Sequence, residues 1–196
     1  MRILAFTDTH ASLRAHETLK KKAKNVDIII CAGDISIFEN EIESIMSFLD
    51  SLGKKVYIIH GNHEEPGVLR LLAKESKNII FIHRKIVQLP GLQIIGYGGD
   101  GFSRTNKDFT AFAKGLKKRL RKTKPAIMVT HQPPYDTICD RIMGEKTGNR
   151  SYTALLRKGL FTHWICGHIH ENNNKSETLK GTLLLNPGPR GRVLRI

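Results

Sequence analysis

Short apolar runs rich in Ile and Val alternate along the chain with amphipathic stretches, and the two periods predict the elements. Strands are expected at Ile3–Phe6, Val26–Cys31, Val56–His60, Asn78–Ile82, Leu92–Tyr97, Ala126–Thr130, Thr162–Cys166 and Thr182–Leu185. Several lack strict alternation of apolar and polar positions, so both of their faces should be covered. Helices are expected over Ser12–Ala23, Glu39–Leu52, Pro66–Glu75, Asp108–Lys122 and Ser151–Lys158. The second is the clearest, with Ile42, Ile45, Met46, Leu49 and Leu52 on one face and Gly53 placed to end it. The first half thus reads β-α-β-α-β-α-β, the order of a layered α/β domain. At the end, the turn Asn186-Pro-Gly-Pro is expected to close a hairpin with a last strand at Arg192–Ile196.

Composition narrows the class. The chain has 196 residues, 40% of them hydrophobic, which suits a soluble globular protein built as one domain spanning residues 1–196. Only four apolar residues follow Arg2 before Thr7, too few for a signal peptide, and no run approaches a membrane span. A cytoplasmic protein without a membrane partner is the expectation. Cys31, Cys139 and Cys166 form no CxxC pair, which argues against a disulfide framework. Cys31 and Cys166 close apolar runs and read as core residues. The formal charge of +14 favours a polyanionic partner or a phosphorylated substrate. Its densest part is Lys114, Lys117, Lys118, Arg119, Arg121, Lys122 and Lys124, opposite an apolar stripe of Phe109, Phe112, Ala113, Leu116 and Leu120. That segment reads as a solvated helix face more readily than as a nucleic-acid surface, because no aromatic residues are interleaved among the charges.

The chemistry sits in five polar blocks, each directly after a predicted strand. These are Asp8-Thr-His10, Gly33-Asp34, Gly61-Asn62-His63-Glu64, His131 and Gly167-His168-Ile-His170. Taken singly, Asp8, Asp34 and Asn62 also fit turns. Taken together, they would meet at one edge, because α/β sheets place ligands at the carboxyl ends of their strands. Four imidazoles, two carboxylates and an amide oxygen suit borderline transition ions such as Mn²⁺, Zn²⁺ or Fe. Seven ligands exceed one tetrahedral site and include no thiolate, which disfavours structural zinc. They suit two ions bridged by a carboxylate. Such a pair clamps the attacking and leaving oxygens of a displacement at phosphorus and generates hydroxide near neutral pH. No GxGxxG or Walker lysine block points to another chemistry.

In order and spacing, these blocks resemble the calcineurin-like metallophosphoesterase family, from residue 8 to residue 170; Asn186-Pro187-Gly188 adds a likeness to small prokaryotic members. The resemblance implies a four-layer αββα sandwich of two mixed β-sheets flanked by helices. It implies that Asp8, His10 and His170 hold one ion and Asn62, His131 and His168 the other, with Asp34 bridging. Hydrolysis of phosphomonoesters or phosphodiesters by a metal-bound hydroxide would follow. Asn62 and His63 would contact the substrate, with His63 protonating the leaving group, a task an imidazole can perform near neutral pH. The chain departs from the protein serine/threonine phosphatases, since Gly33-Asp34-Ile35-Ser36-Ile37 lacks their Asp-Arg pair. Arg104 and Arg150 are candidates for the missing phosphate contact. The alternatives are a nuclease, and a catalytically weak scaffold of the same fold.

Residues outside the blocks carry weaker expectations. His16 should be solvent-exposed, His83 and His163 flank strands, and His60 either packs or orients a ligand. The glycine-rich Gly96–Gly101 loop is a tight turn or an approach to phosphate. The long segment 133–149 is a candidate cap, with Tyr135, Asp136 and Arg141 facing substrate.

Overall fold

A computed structural model describes residues 1–196. Its elements are β1 (Arg2–Phe6), α1 (Leu13–Ala23), β2 (Ile28–Cys31), α2 (Ile42–Ser51), β3 (Lys55–Ile58), α3 (Pro66–Glu75), β4 (Ile79–Phe81), β5 (Lys85–Leu89), β6 (Leu92–Tyr97), α4 (Lys107–Ala113), α5 (Leu116–Arg119), β7 (Ala126–Thr130), β8 (Arg141–Ile142), β9 (Glu145–Lys146), α6 (Arg150–Leu156), β10 (His163–Ile165), β11 (Ser176–Leu179), β12 (Thr182–Leu185) and β13 (Arg192–Arg195). One sheet has the order β13-β1-β2-β3-β4 and the other β11-β12-β10-β7-β6-β5, while β8 and β9 pair alone. Strands β1 to β4 run parallel and β13 joins antiparallel. In the second sheet, β12, β10, β7 and β6 are parallel, with β11 and β5 antiparallel at the edges.

Alternate residues of the same strand serve different cores. Ile3, Ala5, Ile28 and Ile30 face Ile94, Ile127, Val129 and Ile165 between the sheets. Their neighbours Leu4, Phe6, Ile29 and Cys31 pack under α1 to α3, on Leu19, Ile45, Met46, Leu49 and Leu69. Across the second sheet, Ile95, Met128, Trp164 and Cys166 meet Phe109, Leu116, Tyr152 and Leu155 from the other helices. The result is a mixed α/β sandwich of two large sheets with helices outside both. The uninterrupted apolar strands are therefore explained by burial on two faces. Ser12 caps α1, its Oγ accepting from Ala15 N at 3.3 Å. Gly53, at φ +66°, takes the left-handed conformation just beyond α2. All three cysteines are buried and free. No helix is long and apolar enough to cross a membrane.

Four expectations need correction. The helix expected over Asp108–Lys122 is two pieces, because Gly115 adopts φ +82° between α4 and α5. The helix expected from Glu39 starts at Ile42, since Phe38, Glu39 and Glu41 have φ of 48°, 63° and 56°. The terminal hairpin does not form: β12 lies in the second sheet and β13 beside β1 in the first, so residues 186–191 cross between sheets. A turn signal marks a change of direction but not the strand that receives the chain. His16 is half-buried and stacks on Phe48, with centroids 4.4 Å apart. Strands β5 and β11 escaped prediction because edge strands bury little and so carry a weak apolar signal.

Candidate metal centre

All five polar blocks emerge from carboxyl ends of parallel strands, β1, β2, β3, β7 and β10, at the same edge of the two sheets. The loops after β1 and β2 run side by side, with Asp8 N donating to Gly33 O at 3.0 Å and His10 N to Asp34 O at 3.2 Å. Glycine lets these backbones approach. A Cβ on Gly61 would lie 1.9 Å from Asp34 Oδ1, and one on Gly167 would lie 2.5 Å from Asp8 Oδ2. Asp8, His10, Asp34 and His168 all have positive φ, between 43° and 69°. Such backbone costs energy for a side chain bearing Cβ, and its concentration at one place is characteristic of functional sites.

Three groups of potential ligand atoms overlap: Asp8, His10 and His170; His10, Asp34 and His63; and Asp34, His131 and His168. Within each, the atoms lie within 4.8 Å of one another. Asp34 is central, its Oδ2 3.2 Å from His131 Nε2 and 3.9 Å from the Nε2 atoms of both His10 and His63. Asn62 joins through Oδ1, 3.1 Å from His131 Nε2. On the other side, His170 Nε2 is 3.7 Å from Asp8 Oδ1 and 3.1 Å from His10 Nε2. The seven expected ligands and His63 are thus in one cluster.

The donor set fits divalent ions on its own geometry. His131 Nδ1 donates to Ala32 O at 2.9 Å and His10 Nδ1 to Ser36 O at 3.0 Å, which turns both Nε2 atoms inward. His168 Nε2 is buried without a hydrogen-bond partner. The electrostatics suit a cation as well. Burial by itself would raise the Asp34 pKa, but His131 beside it and the His63 N–H hold it well below the usual carboxylate range. Burial opposes charge on His131 too, yet Asp34 and Asp8 bring its pKa up to about 9. Burial and the charge of His131 push His168 down to about 4, leaving that ring neutral and able to ligate. The neighbouring Asp8 carboxylate raises the pKa of His170.

Glu64 is the residue whose role the sequence did not reveal, although it stands inside the third block. Its carboxylate is buried and accepts from Asp34 N (3.0 Å), Gly61 N (3.0 Å), Ser36 N (3.0 Å) and Ser36 Oγ (2.9 Å). It ties the loop after β2 to the loop after β3 and fixes Asp34 between them. Asp8 acts likewise, accepting from His168 N at 3.0 Å.

Other candidates lie elsewhere. Arg104 donates to Lys146 O at 2.9 Å, and the Arg150 guanidinium sits 4.2 Å from the centroid of Tyr135, so neither is committed to the cluster. Asp136 pairs with Lys146 at 2.6 Å and with Arg141 at 3.5 Å, within the 133–149 segment. Gly98 and Gly99 pack on His60, with Gly99 N donating to His60 O at 3.0 Å. His60 thereby supports the glycine-rich loop, and only Gly101 faces His168 and Asn62. The side chains of Lys117, Lys118, Arg119, Arg121 and Lys122 are exposed.

A family model described as calcineurin-like phosphoesterase matches residues 1–172. An uncharacterized protein of Methanocaldococcus jannaschii is 26% identical over 202 residues, which cover 97% of this chain and 89% of that protein. An uncharacterized metallophosphoesterase of Helicobacter pylori is 29% identical over 150 residues, covering 68% of this chain and 39% of that protein, so the chain spans well under half of its length. The crystal structure of a dimetal phosphatase from Danio rerio shares the fold, with a TM-score of 0.66 at 13% identity over 95% of this chain and 86% of the other.

Proposed function

The chain belongs to the calcineurin-like phosphoesterase family, hydrolases of phosphoester bonds, and from that premise we propose a dinuclear site that cleaves phosphomonoesters or phosphodiesters. One observation carries this reading: the three ligand groups overlap in a chain, the first two through His10 and the last two through Asp34, with potential ligand atoms inside each group no more than 4.8 Å apart. Asp8, His10 and His170 would hold one ion, Asn62, His131 and His168 the other, with Asp34 between them. Divalent ions there, Mn²⁺, Zn²⁺ or Fe by the donor chemistry, would supply Lewis acidity and an activated water.

The protein's own groups do the rest. His63 protonates the departing ester oxygen, which leaves poorly as an alkoxide. Its backbone N donates to Asp34 Oδ1 at 3.0 Å, and its ring lies 4.9 Å from that of His10, so the donor is held at the edge of the ligand set. Asn62 and His63 would contact the phosphate. Because His63 Nε2 is as far from Asp34 Oδ2 as His10 Nε2 is, a ligand role for His63 is the second reading, and metal content distinguishes the two. The direct test loads the purified protein with each metal in turn and supplies nitrophenyl phosphate mono- and diesters. Turnover that vanishes with a chelator and returns with metal supports the proposal; no turnover with any metal on either ester overturns it.

A further inference from the structure

Two phenylalanines flank the cluster in a way that the hydrolytic chemistry leaves unexplained. Phe38 is 76% exposed and its ring lies 4.4 Å from that of His63; Phe102 is 62% exposed and its ring lies 4.5 Å from that of His168. Asp34 stands between the two histidines, 3.9 Å from His63, and grouped with His168. Holding a bulky apolar ring in water has no folding benefit, and the loops that carry these rings are hydrogen-bonded in place.

Phe38 has φ +48°, a costly conformation for a residue with a large side chain. Its loop is pinned by Glu39 N donating to Ser36 Oγ at 3.2 Å and Glu65 N to Glu39 Oε1 at 2.7 Å. Ser36 is in turn bound by Glu64, so one buried carboxylate positions both Asp34 and the Phe38 loop. The Phe102 loop is tied just as closely. Asn149 Nδ2 donates to Ser103 O at 3.1 Å, and Asp100 accepts from Tyr152 OH at 2.6 Å and Asn106 Nδ2 at 2.7 Å. Strained, hydrogen-bonded loops that present rings to solvent beside reactive groups are platforms for something flat.

We propose that Phe38 and Phe102 are stacking platforms for the two organic substituents of a phosphodiester, each carrying an uncharged planar ring of aryl or nucleoside type. The inference rests on the phosphoesterase reading and deepens it. A monoester has one substituent and needs one platform; two platforms on different sides of the cluster match a diester. The platform touching His63 receives the leaving group, since His63 protonates its oxygen. A cavity of about 250 Å³ opens there, lined by Phe38, Asn62, His63 and the buried Glu64, with Glu39 and Glu65. Those two carboxylates repel a further phosphate, so the leaving group is an uncharged ring rather than the next nucleotide of a strand. The platform against His168 receives the group that stays on phosphorus.

Cleavage adds water across the P–O bond: hydroxide oxygen joins phosphorus, the ring-bearing oxygen departs with its electron pair, and His63 gives it a proton. The test compares Mn²⁺-loaded wild type, Phe38→Ala, Phe102→Ala and Phe102→Tyr, with metal content measured for each. Calorimetry reads the affinities of diphenyl phosphate and dimethyl phosphate. Turnover is read on bis(4-nitrophenyl) phosphate and methyl 4-nitrophenyl phosphate, which share a leaving group. Wild type should bind the diphenyl ester about 100-fold more tightly than the dimethyl ester, about tenfold for each stacking contact, and each alanine variant should lose about tenfold of that preference. Phe102→Ala should lower kcat/KM about tenfold on the bis-aryl ester and leave the methyl ester nearly unchanged, while Phe102→Tyr restores it. Equal losses on both esters in Phe102→Ala, or an affinity ratio the same in all four proteins, would overturn the platforms while leaving the phosphoesterase reading intact. An aryl preference without any turnover would instead sink the phosphoesterase reading and keep the platforms.

Discussion

Glu64→Ala is the substitution whose consequence can be worked most fully from the structure. The carboxylate accepts from three backbone N–H groups, of Asp34, Ser36 and Gly61, and from the Ser36 hydroxyl, all at 2.9–3.0 Å and buried. Alanine leaves all of these donors without their acceptor. A buried donor without a partner costs about 1–3 kcal/mol, and because water entering the vacated space satisfies some of them, a loss near the low end, about 3 kcal/mol in all, is expected. In a domain of this size about 1 kcal/mol moves the melting temperature by roughly 2–4 °C, so Tm should fall by roughly 6–12 °C. Metal content should fall with it, because Asp34 loses the bond to its backbone N. Glu64→Gln keeps one acceptor oxygen but turns an NH₂ toward donors, so its loss should lie between wild type and alanine. Thermal unfolding by circular dichroism, with elemental analysis of the same samples, reads both effects. A Tm for Glu64→Ala within about 2 °C of wild type, with undiminished metal, would refute the assignment of Glu64 as the tie between the two loops.

Asp34→Ala should lose metal and abolish turnover, whereas His63→Ala should keep its metal and lose about 10²–10⁴-fold in kcat; equal metal loss in both would make His63 a ligand rather than the acid. Burial, then the charges of His60, Arg84 and Arg70, hold the pKa of His83 near 4, down from 6.5 in an exposed imidazole. The unfolded chain therefore takes up this proton first, so the stability it represents is complete above pH 6.5 and is lost as pH falls toward 4. Urea unfolding across that window should show the decline, and His83→Gln should flatten it; an unchanged slope would rule His83 out as its source.

The sequence by itself determined the layering and which side chains are candidates for the ligand set. Strands such as Ile28–Cys31, apolar at every position, can only be covered on both faces, which required helices outside and a second sheet inside. The five polar blocks were readable because each follows a parallel strand, and parallel strands of one sheet end at the same edge. Chain reversal was also readable at Asn186-Pro-Gly-Pro, but whether Arg192–Arg195 would pair with Thr182–Leu185 or with β1 depended on which sheet edge was open. The break at Gly115 was lost under a helical apolar stripe, since glycine interrupts a helix only where the chain has reason to turn.

Tertiary structure alone decided what surrounds the candidate ligands. Glu64 bonds backbone groups 28 to 30 residues away, and Phe38 and Phe102 meet His63 and His168 only because separate loops converge. Periodicity reports a residue's relation to its own element, through the spacing of side chains along a helix or strand. Contacts between loops depend on how the sheets pack, and no local pattern records them.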